Sequence, residues 1–92
     1  MTIYKHNEDK IIEEIKAHID GTYGQHYVGN KEIQVIDYWE SLGSLETTAR
    51  DNIIKYVARF GKKGGKNRKD LLKAAHYLVL MLYITEKEGD NN

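Results

Sequence analysis

A group of polar side chains with helical spacing is the part of the sequence best suited to chemistry. Asn52, Lys55 and Arg59 recur at intervals of three and four, so a helix would place them on one side, with Tyr56 at its edge. A Gly-Lys loop follows, and a second helix is predicted after it. A helix N-terminus offers free N–H groups and a positive dipole end. The arrangement therefore predicts a phosphate site, whose cations would be Lys55, Arg59, Lys62 and Lys66.

The charge distribution agrees with an anionic partner. The net charge is zero, yet residues 1–50 carry five basic and nine acidic residues, and residues 51–92 carry nine and five. Half of the fourteen basic residues fall between Arg59 and Lys73. Such clustering indicates either an anionic ligand or an acidic surface elsewhere in the fold. The alternative interpretation is a solvated basic face with a flexible turn.

A carboxylate follows the basic loop. Asp70, Lys73 and Tyr77 share one face of the next predicted helix, again at intervals of three and four. Asp70 could orient a cation or a ligand hydroxyl. It could instead be a structural residue, because Asn67 is a predicted N-cap and Asp70 stands where a capping-box residue would, with Lys73 available as its ion-pair partner.

Two further candidates lie earlier in the chain. The loop pair His26 and Tyr27 could stack on a nucleobase and donate to a phosphate, or could anchor the loop by burying its rings. Asp37, within an apolar segment, could pair with a basic residue of the third helix or face water.

Several known sites are excluded by spacing. The P-loop pattern fails, because position 66 is Lys66 where glycine is needed, and Gly65-Lys66-Asn67 lacks the hydroxyl residue. The four histidines have no metal-ligand spacing, so no metal site is predicted. The paired carboxylates of all-α nucleotide pyrophosphohydrolases are also missing, since Glu13 and Glu14 lead into Lys16 and Ala17.

The elements that must position these residues are predicted to be helices. Apolar spacing, glycines and caps give helices over 8–20, 31–42, from Ser44 or Thr48 to about Gly61, and 68–87, with 88–92 as a frayed tail. The β-branched residues leave a strand possible at 33–36. We therefore expect one all-α domain of three or four helices over residues 1–92. The predicted buried faces are Ile53, Ile54, Val57 and Ala58, then Leu71, Leu72, Ala75, Leu78, Val79 and Leu82.

Composition sets the broad class. The chain has 92 residues, 40% of them hydrophobic and 30% charged, with no cysteine and no proline. No apolar run approaches the roughly 20 residues of a membrane span. The first residues, MTIYKHNEDK, show no apolar signal region, and together with the absence of cysteine this favours a cytoplasmic protein. The last helix offers more apolar and aromatic positions than one small core needs, which predicts self-association. Nucleic-acid binding is not expected, because the positive patch is local and the net charge is zero.

Five segments, in order, resemble a small phage protein family called SaV-like. They are His26-Tyr27, IQVID at 33–37, NIIKYVAR at 52–59, GKK at 61–63 and KDLLKAAHYL at 69–78, so the likeness covers about residues 26–80. The family pattern has an HY pair, an EVID-like stretch, a GN-x-x-KY-x-x-R-x-GKK segment and a DL-x-KA-x-x-YL segment. The chain departs from it at Asp51, where the family usually has glycine.

The resemblance implies a phage nucleotide kinase-like protein without a Walker motif, acting on (deoxy)nucleoside monophosphates in an infected bacterial host. Lys55, Arg59, Lys62 and Lys63 would hold phosphates, and Tyr27 or Tyr56 would stack the base. Asp70 or Asp37 would orient a hydroxyl or Mg²⁺, with ATP as the second substrate. The alternatives are a protein that sequesters nucleotides or cyclic nucleotides without catalysis, and an inhibitor of a host protein, both of which would serve counter-defence.

Overall fold

The computed structural model is all-α, as predicted. It describes residues 1–23, 31–62 and 64–90, and of residues 31–34 and 90 it describes the backbone alone. The helices are α1 (Glu8–Tyr23), α2 (Lys31–Ser41), α3 (Leu45–Arg59) and α4 (Arg68–Asp90). No strand occurs among these residues. The alternative of a strand at 33–36 is wrong, because the helical spacing that brings Ile36 onto Leu45 outweighs the β preference of the branched residues.

The helices α3 and α4 form a hairpin that contains most of the tertiary contacts. Leu45 and Ala49 are buried on α3, and Ala74 and Tyr77 are buried on α4. The buried side of each helix thus includes an alanine, whose small side chain permits a close approach between helices. Among the described residues, Ile36 is the other buried apolar side chain, and many large apolar side chains are exposed.

A second cluster attaches α2 to this hairpin. Ile36 of α2 and Leu45 of α3 form its buried centre, and the partly buried side chains of Trp39, Leu80 and Ile84 pack against it. At the edge of the cluster, Glu40 accepts hydrogen bonds from the Tyr83 hydroxyl and from Lys87 Nζ, the latter at 3.0 Å. The hydrogen bond from Tyr83, followed by that from Lys87, lowers the pKa of the Glu40 carboxyl.

The first helix contacts α4 through polar and apolar groups. Arg68 donates three hydrogen bonds to the Glu14 carboxylate, with N···O distances of 2.5 to 3.0 Å. These bonds lower the pKa of Glu14 and raise that of Arg68. One turn further along α1, the rings of His18 and His76 meet edge to face at 6.2 Å. Ile11 and Ile15 complete the contact as they line a shallow groove with α4.

The predicted buried faces of α3 and α4 are largely exposed, so this prediction was wrong. Ile54 and Val57 are 61% and 52% exposed, and Leu78 and Leu82 are 52% and 59% exposed. Leu71, Val79 and Ala58 are exposed too, whereas Ile53, Leu72 and Ala75 are partly buried. Each helix has two rows of side chains, either of which could face the other helix. The hairpin turns inward the row with Ala49 and Tyr56 on α3 and the row with Ala74 and Tyr77 on α4. The aliphatic rows are left largely exposed.

Two helix ends also differ from the prediction. Helix α1 continues through Gly21 to Tyr23, since Thr22 is buried and its hydroxyl donates to the Ile19 carbonyl at 2.7 Å. Residues 88–90, predicted as a frayed tail, extend α4, and the contacts of Tyr83 and Lys87 with Glu40 hold the last turns against α2. In the described ranges, no helix is both long and apolar enough to cross a membrane.

Candidate functional site

Three cations surround the ring of Tyr56. Lys55 Nζ lies 4.4 Å from the ring centroid, Arg59 Cζ 5.4 Å and Lys73 Nζ 5.3 Å. These distances allow cation–π attraction, which holds side chains of like charge near one point despite their repulsion. Lys55 and Arg59 come from α3 by helical spacing, and the hairpin adds Lys73 from α4. The structure therefore brings together four residues that the sequence assigned to two separate helix faces.

Tyr77 fixes the position of this ring. The rings of Tyr56 and Tyr77 are stacked, with centroids 6.2 Å apart and planes inclined by 16°. Tyr77 is buried and also contacts the ring of Trp39, at 6.4 Å. Tyr77 thus lies between the cations and the core, and it positions Tyr56 rather than facing a ligand. One side of Tyr56 is occupied by this contact.

A cleft of about 500 Å³ opens beside the ring. It lies between the end of α3 and the beginning of α4, so the two helix ends and the loop between them form its walls. Arg59 and Lys73 belong both to this cleft and to the group around Tyr56, which makes the two features continuous. The residues that line the cleft are Arg59, Gly64, Asn67, Lys69, Asp70 and Lys73.

Asp70 is the unusual member of this lining. Only 4% of its surface is exposed, and its Oδ2 atom has no hydrogen-bond partner. The ion pairs found in the described part of the chain do not include Asp70, so the expected pairing with Lys73 is not formed. A buried polar atom without a partner costs about 1 to 3 kcal/mol. A ligand that brings an N–H or O–H donor into the cleft would remove that cost.

The N-terminus of α4 is capped by Asn67, as predicted. Its Oδ1 accepts the Lys69 N–H at 3.0 Å, and its carbonyl accepts the Asp70 N–H at 3.0 Å. The reciprocal capping-box bond to Asp70 is replaced, because the Asn67 N–H donates to the Gly65 carbonyl. Two amides of the first turn are therefore already bonded. An anion in this cleft would therefore be bound mainly by side chains and less by the amides of α4.

The loop between α3 and α4 depends on glycine. Gly61 has φ of 87°, a left-handed conformation that other residues adopt only with strain, and its N–H donates to the Gly65 carbonyl at 3.0 Å. This bond closes the loop and turns the chain from α3 into α4. Lys62 and Lys66 lie exposed on the loop and are not among the residues that line the cleft. Their role as phosphate ligands stays a prediction.

The other predicted site residues lie elsewhere. The Asn52 side chain donates from Nδ2 to the Thr48 carbonyl at 2.8 Å and so bonds its own helix. Asp37 is exposed on α2 and lines a different cleft, with Tyr23 and Glu40 among its neighbours. The structure therefore does not bring Asp37 to Asp70. His26, Tyr27 and Lys63 lie outside the described residues.

Gly64, Asn67 and Lys69 line the cleft but were not predicted as site residues, and Lys69 is the charged one among them. Lys69 was not assigned to the site, although it follows the predicted cap Asn67 by two positions and immediately precedes Asp70. In the described residues no group of three or more His, Cys, Asp or Glu side chains could hold a metal ion. The lining of the cleft offers one carboxylate and three cations, a set that suits an anion carrying a hydrogen-bond donor better than a divalent cation.

Comparison with known proteins gives one match. A family model described as a protein of unknown function, DUF3310, matches residues 21–79. The matched span includes α2, α3 and most of α4, and with them the ring of Tyr56 and the cleft. No curated protein and no solved structure matches the chain. The resemblance to SaV-like nucleotide kinases stays a prediction.

Proposed function

The chain belongs to the DUF3310 family, whose description names no activity, and from the site itself we propose that it binds a nucleoside phosphate. The ligand occupies the cleft between α3 and α4. Its phosphate lies against Arg59, Lys69 and Lys73, and its sugar or base donates a hydrogen bond to Asp70. Each part of this proposal follows from a different feature of the cleft.

The observation that carries the proposal is the convergence of cations on Tyr56. Lys55, Arg59 and Lys73 all lie within 5.4 Å of the ring centroid, and none of them takes part in an ion pair among the described residues. The three cations repel one another, and a bound anion would offset this repulsion by attracting each of them. A phosphate group has enough charge and oxygen atoms to contact several of these side chains at once.

Asp70 gives the reason for a nucleoside phosphate instead of phosphate alone. Its buried Oδ2 accepts no hydrogen bond, and a phosphate dianion has no donor to offer it. A ribose or deoxyribose hydroxyl, or a base N–H, supplies the missing donor. A molecule with an anionic end and a donor end therefore satisfies both sides of the cleft, which is the chemistry of a nucleotide.

The lining of the cleft favours binding without turnover over the kinase reaction. Phosphoryl transfer depends on Mg²⁺ and on the alignment of two phosphate-bearing substrates. Asp70 would be the protein ligand of such an ion within the described cleft. Lys69, Lys73 and Arg59 line the same cleft, and their positive charges would repel Mg²⁺. This set fits a sequestering protein, in which cations rather than a metal neutralise the phosphate.

A thermal-shift screen tests the proposal. We expect mono-, tri- or cyclic nucleotides, with or without Mg²⁺, to stabilise the protein by about 2.7 kcal/mol at one hundred times the dissociation constant. The double variant Arg59→Ala/Lys73→Ala should lose this shift. The matched control is Lys16→Ala/Arg50→Ala, which removes one Lys and one Arg that are exposed and paired with acidic neighbours. A wild type that no nucleotide stabilises, or a site variant that binds as well as the control, contradicts the proposal.

The kinase alternative has a separate assay. A nucleoside monophosphate kinase forms a nucleoside diphosphate and ADP from a monophosphate and ATP in the presence of Mg²⁺. We expect binding without this product. Formation of the diphosphate, lost in Arg59→Ala/Lys73→Ala and retained in Lys16→Ala/Arg50→Ala, would show that the same cleft is catalytic.

A further inference from the structure

A row of apolar side chains on α4 faces solvent. Leu71, Ala75, Leu78 and Leu82 follow one another at intervals of four, three and four residues. This spacing forms the seam of paired helices in coiled coils. The three leucines are 39%, 52% and 59% exposed in chain order, and Ala75 is partly buried. We name these four residues the α4 seam.

Helix α3 extends the apolar surface beside the seam. Ile54 and Val57 are more than half exposed, and helical geometry places them on the side of α3 away from Lys55 and Arg59. On α4, the seam likewise lies away from Lys73, which helical geometry places on the opposite side. The hairpin therefore carries its cations on one face and its exposed aliphatic side chains on the other.

We propose that the α4 seam binds a second copy of this chain, with the two α4 helices antiparallel about a two-fold axis. In this register Leu71 lies opposite Leu82 of the second copy, and Ala75 lies opposite its Leu78. Such an interface is isologous, because the same surface is used twice. The antiparallel arrangement also sets each helix dipole against the opposite end of its neighbour.

Two grooves beside the seam fit this register. A groove of about 210 Å³ at the beginning of α4 includes Ile11, Ile15 and Leu71 in its lining. A groove of about 330 Å³ near the end of α4 includes Leu78, Met81 and Leu82. The antiparallel register places Leu82 of one copy at the first groove of the other, and Leu71 at the second groove. Each copy thus supplies both a protruding leucine and the groove that receives it.

Charge favours the same orientation. Arg68 and Glu86 lie on the same side of α4, next to the two ends of the seam, because they are separated by eighteen residues, or five turns. An antiparallel pair sets Arg68 of each copy, which also bonds Glu14 of its own chain, near Glu86 of the other. A parallel pair would set like charges side by side. The surface is complementary to itself in charge and shape, and for this reason we propose a second copy of the chain as its partner.

Light scattering at micromolar concentration tests the interface. We expect the wild-type mass to be twice 10.7 kDa, and the double variant Leu78→Glu/Leu82→Glu to be a monomer with unchanged helical circular dichroism. The matched control is Tyr38→Glu/Leu42→Glu on and just after α2, where both side chains are exposed and also four residues apart. This control should remain a dimer. A monomeric wild type overturns the proposal, as does a seam variant that stays dimeric or a control that alone dissociates.

Cross-linking tests the orientation. The chain has no cysteine, so introduced thiols are the only ones that can react. Leu71→Cys mixed with Leu82→Cys should form a disulfide-linked heterodimer under mild oxidation. Leu71→Cys alone should not cross-link, because antiparallel pairing separates the two thiols by about 16 Å along the helix axis. Efficient cross-linking of Leu71→Cys alone would overturn the antiparallel arrangement.

Discussion

The α3–α4 hairpin has two faces that are built from the same helices and differ in almost every physical property. One face carries Lys55, Arg59 and Lys73 around Tyr56, with a cleft that ends at Asp70. The opposite face exposes aliphatic side chains such as Ile54 and Leu78. The cationic face is organised by aromatic contacts within the chain, whereas the aliphatic face meets α1 near Leu71 and is otherwise largely exposed.

The difference shows which side chains determine helix orientation here. Tyr56 and Tyr77 are stacked and Tyr77 is buried, and the small side chains of Ala49 and Ala74 leave room for the helices to approach. The hairpin therefore turns its aromatic rows inward. Removal of Tyr77, the residue between the core and the cations, should therefore disturb both the packing of the hairpin and the position of Tyr56.

The largest expected effect is that of Tyr77→Ala. Truncation of a buried aromatic side chain lowers the free energy of unfolding by about 3 to 5 kcal/mol, and the loss of the stacked ring also frees Tyr56. Urea denaturation measures the free energy. Tyr83→Ala is the control, because Tyr83 is 40% exposed on the same helix. Similar losses in both variants would contradict the central position of Tyr77.

Overpacking of the helix interface should have the next largest effect. Ala49 is fully buried, so Ala49→Leu should lower the free energy of unfolding by about 1 to 3 kcal/mol. Ala58→Leu adds the same atoms to an exposed position of α3 and should change it by no more than about 0.5 kcal/mol. Chemical denaturation of both variants checks the difference. If Ala58→Leu is the more harmful, the aliphatic row and not the aromatic one faces α4.

Asp70→Asn tests whether the Asp70 carboxylate contributes to ligand preference on the cationic face. The substitution keeps the shape and removes the charge of a buried side chain whose Oδ2 has no partner. We expect a loss of less than about 1 kcal/mol of folding free energy. Phosphate or pyrophosphate binding should persist, whereas the preference for a nucleoside phosphate should fall. Calorimetric titration with pyrophosphate and with the best nucleotide separates the two. An unchanged preference would remove Asp70 from the site.

The smallest expected effect is that of pH on the contacts around the hairpin. The hydrogen bonds from Arg68 and Tyr83 lower the pKa values of Glu14 and Glu40 from their usual 4.5. These contacts therefore stabilise the fold fully above pH 4.5 and are lost as the pH falls through the lowered values. Glu40 raises the pKa values of Tyr83 and Lys87, so this second contact is also lost as the pH rises above about 10.

Urea denaturation across the pH range measures this loss. Because both carboxylates are partly exposed to solvent, screening keeps the change small. Glu14→Gln should reduce the loss in acid to the part that Glu40 contributes and leave the alkaline loss unchanged, since Glu14 contacts Arg68 alone among the shifted groups. A wild-type free energy that is constant from pH 6 to pH 3 would contradict the assignment.

Local sequence patterns predicted the four helices and the residues that share each helix face. Local spacing was enough to place Lys55, Tyr56 and Arg59 together on α3 and to identify Asn67 as the cap of α4, because both depend on residues within one or two turns. It also predicted a candidate site at the end of one helix and the beginning of the next, where the structure has the cleft. These predictions needed no knowledge of how the helices pack.

Which face of each helix turns inward depends on packing between helices and could not be predicted from local patterns. Ile54 and Leu78 looked like core residues because their spacing is regular, yet rotation of the two helices about their axes left them exposed and buried Asp70. The same rotation brought Lys73 to Tyr56 across the hairpin. Helical period fixes the angle between side chains on one helix, but the orientation of that helix is set by the sum of its contacts with other helices. Those contacts join residues far apart in the chain, and no local pattern records them.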